Sequence, residues 1–156
     1  MKYVVLIIVI ALTVFFFKRS ANNEKSAVEN NAIAKDFLTQ NKLVEDVVET
    51  TSGLQYQVLQ QGGGTEHPSA SSKVKVHYHG SLLDGTVFDS SVERGEPISF
   101  GLNQVIRGWT EGVQLMVVGD KFKFYIPSEL GYGNRSAGQI VPGSLLIFEV
   151  ELLEIQ

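Results

Sequence analysis

Hydrophobic and polar positions change their period twice along the chain, and each change marks a new kind of structure. Tyr3 to Phe17 is apolar throughout except for Thr13, with Lys2 before it and Lys18-Arg19 after. Asn22 to about Val48 contains helix formers and no breaker, and Ile33, Phe37, Val44 and Val48 fall near one stripe. This predicts a helix whose thin stripe fits a solvated stalk better than a spacer or weak partner-binding element. "TTSGLQ" ends it. From Leu54 onward the period is two, the signature of strands with one buried face.

The alternating segments follow in order. Leu54, Tyr56 and Val58 predict a strand that stops at the turn-rich "QGGGTEHP". Val74, Val76 and Tyr78 predict the buried face of the next strand, with Lys73, Lys75, His77 and His79 on the other. Asp84-Gly85 reads as a turn, and "RGEPISFGL" gives a strand with Ile98 and Phe100 on one face. In "NQVIRGWTEGVQLM" the spacing becomes helical, with Ile106, Trp109, Val113 and Met116 on one stripe. Gly108 and Gly112 weaken that helix by about 1 kcal/mol each relative to alanine. It therefore needs a sheet to pack on, and the glycines let the sheet approach. "GDKFKFYIP" and "LLIFEVELLEI" alternate again, joined by the long loop "SELGYGNRSAGQIVPG". The sum is an α+β domain in which one amphipathic helix covers a face of an antiparallel sheet.

Composition sharpens the division. Every glycine and proline lies at or beyond Gly53, so the chain reads as an apolar segment over 1–20, a helical linker over 21–50 and a globular domain over 51–156. As a helix, Tyr3–Phe17 would reach about 22 Å, short of a hydrocarbon core of roughly 30 Å unless Lys2 and Lys18 snorkel. Its flank "FFFKRSAN" lacks the small residues of a signal-peptidase site, so an uncleaved signal-anchor is expected over 1–20. The positive charges on its two sides balance and leave the orientation open. The net charge of −4 offers no basic surface for nucleic acid. The chain has no cysteine, which excludes disulfides and thiolate chemistry.

Two constellations could carry chemistry. His77 and His79, with Asp84 and Asp89 nearby, have metal-binding residue types, but the histidines share a face with lysines and the acids lie beyond a turn. A surface pair is the expected reading, with no metal. The second is aromatic. The helix and the sheet face under it bring together Tyr78, Phe88, Phe100, Val105, Ile106, Trp109, Tyr132, Ile140 and Phe148. Any one of these alone reads as core. As a set they exceed what a domain of this size needs, and Phe88, Val105, Tyr132 and Ile140 sit at turns or loop edges. An apolar ligand pocket is therefore a second reading.

"VKVHYHGSLLDGTVFDSS", "VIRGWTEGVQLMVVGDKFKFYIPSELGYG" and "IVPGSLLIFEVELLEI" closely resemble the FKBP-type peptidyl-prolyl cis-trans isomerases, nearest the macrophage-infectivity-potentiator-like bacterial branch. "AKDFLTQNKLVEDVVETTSGLQYQVL" is similar to the end of that branch's connecting helix, with the apolar segment in place of the dimerising helices. The resemblance implies a half-open, twisted antiparallel sheet wrapped around one short helix. It also implies acceleration of rotation about Xaa-Pro bonds in unfolded or extended polypeptides, without cofactor or metal. Carried over motif by motif, Tyr78, Phe88, Asp89, Trp109 and Tyr132 would be catalytic. Phe100, Val105, Ile106, Ile140, Phe148 and Ile98 would bind substrate. Macrolides would be inhibitors. Ile98, where the family often has an aromatic, Leu130, "IVPG" for a common "IPP" and the loop "NRSAGQ" distinguish the rim. Together with the anchor, the branch implies a single-pass inner-membrane protein whose domain faces the periplasm. The alternative is a chaperone or adaptor that grips apolar proline segments without turnover.

Overall fold

The computed structural model describes the backbone of residues 2–156 and the side chains of residues 12–156. Strict alternation in Lys73–Leu82 gives a ten-residue strand, β3, with Val74, Val76 and Tyr78 buried and Lys75, His77 and His79 half-buried on the reverse. The other strands are β1 (Val47–Glu49), β2 (Gln55–Gln60), β4 (Val87–Ser90), β5 (Ile98–Gly101), β6 (Lys121–Ile126) and β7 (Leu146–Ile155). All pair antiparallel in the order β1-β2-β6-β7-β3-β4. β5 shares the outer edge of β3, pairing its first half while β4 pairs its second.

The helices are α1 (Lys2–Asn41), α2 (Ser91–Arg94) and α3 (Arg107–Val113). α3 lies on the apolar face of the sheet, as its stripe requires. A Cβ on Gly108 would stand 2.6 Å from Ile126 Cγ2, and one on Gly112 would stand 2.7 Å from Phe124 Cε1. The two glycines therefore set how closely α3 approaches β6, which offsets their poor helix propensity. Glu111, on the same helix, accepts hydrogen bonds from the hydroxyls of Thr50 and Ser52, each at 2.6 Å, tying α3 to the turn between β1 and β2. Trp109, Val113 and Met116 join Val74, Val76, Phe122, Phe124, Val150 and Leu152 in one core.

The N-terminal expectations need correcting. The helix ends at Asn41 rather than near Val48, and Val47–Glu49 forms an edge strand on β2. The β-branched pair Val47-Val48 suits a strand better than a helix. Nor is the helix a free stalk. Ala27, Ala34 and Asn41 are buried. Asn30 donates to the Pro142 carbonyl (2.8 Å), Asn31 accepts from the Ser128 hydroxyl (2.5 Å), and the Phe37 and Tyr125 rings lie 5.8 Å apart. The docked stripe is thus alanine and asparagine, while Ile33, Val44 and Val48 of the expected stripe are exposed. Small residues allow close approach, and Gly143 meets the helix backbone at Ala27, where a Cβ would come within 2.5 Å of the carbonyl oxygen.

The anchor expected over 1–20 falls largely outside the described side chains, which begin at Leu12. Among the described residues no helix is long and apolar enough to cross a membrane. The described end of the apolar run, Leu12 and Val14–Phe17, is exposed.

Candidate functional site

Trp109 occupies the first turn of α3 and is held edge-on by three rings. The indole meets Tyr78 at 5.4 Å and 85°, Phe100 at 5.3 Å and 62°, and Phe148 at 5.2 Å and 90°. Edge-to-face contacts of this kind satisfy the ring quadrupoles and fix the indole plane. The partners come from β3, β5 and β7, so the site exists only once three strands and the helix are assembled. Trp109 is 5% exposed, and it forms the base of an open cleft of about 610 Å³.

The cleft is lined by Tyr78, Asp89, Ile98, Phe100, Val105, Ile106, Trp109, Tyr132 and Phe148 among the residues expected from sequence. Phe88 and Ile140 stand behind the lining. Phe88 packs edge-on to Phe148 (5.3 Å, 84°) and against Gly80, where a Cβ would come within 2.8 Å of its ring. Ile140 is buried in the core and pairs with Ala137 across the loop. Two further cavities, of about 590 and 290 Å³, flank α1, but no aromatic side chain lines either.

One wall is polar. The Tyr78 hydroxyl donates to Oδ2 of Asp89 at 2.5 Å, and Arg94 donates to Asp89 Oδ1 and, at 3.0 Å, to the Tyr78 oxygen. A short capped turn creates this triad. Ser90 accepts from the Glu93 amide (3.1 Å) and Gly95 closes the helix at φ +71°, which returns Arg94 over Asp89. Burial, followed by the bond to Asp89, raises the Tyr78 pKa above that of an ordinary phenol. For Asp89, burial is the largest single influence and favours the neutral form. The bonds from Tyr78 and Arg94 with the arginine's charge outweigh it, holding the carboxyl below the usual range. Arg94, bonded to Tyr78 and Asp89, is held more firmly protonated than a free guanidinium. All three shifts describe one state: neutral tyrosine, carboxylate, guanidinium.

Sequence reading missed Arg94, Arg107, Arg135, Gln104 and Gly131, of which all but Arg94 line the cleft directly. Arg94 had a visible signal, the capping pattern Ser90-x-x-Glu93 followed by Arg94 and Gly95. Tyr132 is partly exposed, and its hydroxyl makes no hydrogen bond to another described residue. The histidines of the metal reading have other partners. His77 Nδ1 lies 2.9 Å from Ser91 Oγ, and His79 Nδ1 lies 3.0 Å from Ser90 Oγ. In the strand register they stand opposite Glu151 and Glu149. Asp84 accepts from the Thr86 amide within its own turn. Among the described residues no cluster of three metal-binding side chains occurs.

Residues 64–153 match the family model described as FKBP-type peptidyl-prolyl cis-trans isomerase, and residues 8–58 match that of the domain amino terminal to it. The chain is 57% identical over 136 residues to the FKBP-type peptidyl-prolyl cis-trans isomerase FkpA of Aeromonas hydrophila, covering 87% of this chain and 50% of that protein. It is 44% identical over 140 residues to the outer membrane protein MIP of Legionella longbeachae, covering 89% and 60%. The crystal structure of FkpA from Escherichia coli superposes with a TM-score of 0.84 at 41% identity, covering 94% of this chain and 71% of that one. Against those two curated relatives the chain spans only 50% and 60% of their length.

Proposed function

We propose that this chain, which belongs to the FKBP-type peptidyl-prolyl cis-trans isomerase family, accelerates rotation about the amide bond before proline in extended polypeptides. The observation that carries the reading is the open cleft floored by a rigid, edge-clamped indole. An Xaa-Pro amide interconverts across roughly 20 kcal/mol. No covalent bond breaks, so neither nucleophile nor proton transfer is needed.

The transition state is a twisted amide that has lost resonance and the charge separation accompanying it. Water stabilises the planar, polarised ground state more than the twisted one, so an apolar cleft favours rotation. Trp109 supports the pyrrolidine ring, with Phe100, Val105, Ile106 and Phe148 as its walls. Phe88 and Ile140 back the lining, and Ile98 sits at the rim. The Tyr132 hydroxyl, which has no hydrogen-bond partner among the described residues, donates to a substrate carbonyl and so fixes one side of the rotating plane. Tyr78 and Asp89 orient the polar backbone beside it. Lowering the barrier by about 5 kcal/mol brings rotation into the millisecond range.

Protease-coupled turnover of a proline peptide by this chain, beside its Trp109→Ala variant, tests the reading. The parent should accelerate isomerisation over buffer and the variant should lose most of that acceleration. Peptide binding without acceleration would replace the enzyme with a chaperone or adaptor that grips proline segments.

The apolar residues Leu12 and Val14–Phe17 are exposed and precede Lys18-Arg19, which supports a location in the cell envelope with the N-terminal run held at the inner membrane and the domain in the periplasm. A relative named for the outer membrane is in keeping with export. Release of the chain from membranes by alkaline carbonate would refute the anchor, and protection of the domain from protease added to spheroplasts would refute the periplasmic side.

A further inference from the structure

The cleft carries two positive charges that rotation about an amide does not require. Arg107 opens α3, two residues before Trp109, and Arg135 follows Tyr132 in the loop before β7. Both line the cleft and both are exposed. The Arg135 amide donates to the Tyr132 carbonyl at 3.2 Å, so the arginine and the tyrosine belong to one turn. Neither guanidinium forms an ion pair or a side-chain hydrogen bond with any described residue. Among the described residues Asp89 is the only carboxylate on the lining, and Arg94 and Tyr78 already occupy both of its oxygens. A chain of net charge −4 therefore presents a locally positive mouth to its substrate.

We propose that the cleft selects proline segments bearing an acidic side chain within one or two residues of the proline, with Arg107 and Arg135 as the specificity-determining residues. The inference rests on the isomerase reading of the same cleft. Guanidinium groups are weakly hydrated and pair with carboxylates through two parallel hydrogen bonds. At this level of exposure the gain is modest and screened by salt, so the result is a preference among clients and not an absolute requirement.

The test compares short peptides of the forms Ala-Xaa-Pro-Phe and Ala-Leu-Pro-Xaa, with Xaa glutamate or its neutral isostere glutamine. Cis–trans exchange is followed by NMR, which avoids the charge preference of a coupling protease. At low ionic strength kcat/KM for glutamate should exceed that for glutamine about two- to fivefold in at least one position. The ratio should approach one in about 1 M salt, and should fall in Arg107→Gln, in Arg135→Gln and most in the double variant. A ratio of one or less in both positions at low salt overturns the proposal, as does a preference that survives unchanged in the double variant. Failure to accelerate any of the peptides would defeat the isomerase reading separately. The same glutamate-over-glutamine ratio is then read as affinity from the fluorescence of Trp109, the only tryptophan in the chain. That ratio decides the charge preference whether or not the chain turns over, and the salt series on the parent decides it even where a variant misfolds.

Discussion

The Tyr78 hydroxyl and Asp89 Oδ2 are 2.5 Å apart, and Arg94 bonds to both residues. Each shift in this group stabilises the same protonation state. Replacing Asp89 by asparagine would remove the charge that opposes Arg94 and weaken the bond that positions Tyr78. We expect kcat/KM on a proline peptide to fall about ten- to hundredfold, the range for losing charge-assisted hydrogen bonds. Retention of parental kcat/KM would show that the triad does not shape the cleft.

The pH dependence of stability follows from the same shifts. Asp89 is depressed in the folded state, so its contribution is fully present above the unfolded value near 4 and is lost as pH falls through the lower folded value. Tyr78 is raised, so its contribution is fully present below about 10 and is lost as pH climbs through the higher folded value. Urea unfolding of the parent and of Asp89→Asn should differ by a constant amount between about pH 5 and 9. The difference should shrink below about pH 4, and a difference that grew on acidification would contradict the assigned state.

Tyr132 offers a hydroxyl with no partner among the described residues. Tyr132→Phe keeps the ring and removes the donor. A fall of about five- to tenfold in kcat/KM, with the melting temperature unchanged, corresponds to one lost hydrogen bond to substrate. An unchanged rate would exclude that bond from the transition state.

Gly108 faces Ile126 with no room for a methyl group. Alanine would gain about 1 kcal/mol of helix propensity yet force α3 off β6, at a cost of about 1–3 kcal/mol. Gly108→Ala should therefore lower the denaturant midpoint, and since α3 carries Trp109, also the activity. A more stable Gly108→Ala variant would mean the helix can shift freely on the sheet.

Gln55 is fully buried and lies where α1 meets the sheet. Its Oε1 accepts from Asn41 (2.9 Å), and its Nε2 donates to the Leu38 carbonyl and to Glu49, each at 2.8 Å. Asn41→Ala would strand one of these buried polar atoms, with a loss of about 1–3 kcal/mol. Limited proteolysis should then cut near the end of α1 sooner than in the parent. Equal resistance would show that the amide bond is not what holds the helix down.

Legibility in the sequence followed the physical signal available at each place. Alternation marked β3 and β7 because one face of each strand is buried. Trp109 and Val113 of the expected stripe marked α3 for the same reason, while Ile106 only caps the helix and Met116 lies beyond its end. The docking face of α1 had no such mark, since Ala27, Ala34 and Asn41 bury through small size and amide bonding, which hydropathy does not register. β1 was missed because three residues at a sheet edge are too short for a period.

The sequence by itself determined which faces must be buried and where turns break the chain, and it placed aromatic side chains on the sheet face under a glycine-bearing helix without deciding between core and pocket. Tertiary structure decided that three rings from three strands clamp one indole, that Arg94 closes on Asp89 and Tyr78, and that Arg107 and Arg135 line the cleft with no side-chain partner among the described residues. Periodicity is a property of neighbours along the chain and survives in one dimension. Ring angles, charge pairing and an open cleft depend on residues brought together from distant segments, and they exist only once the sheet has closed around α3.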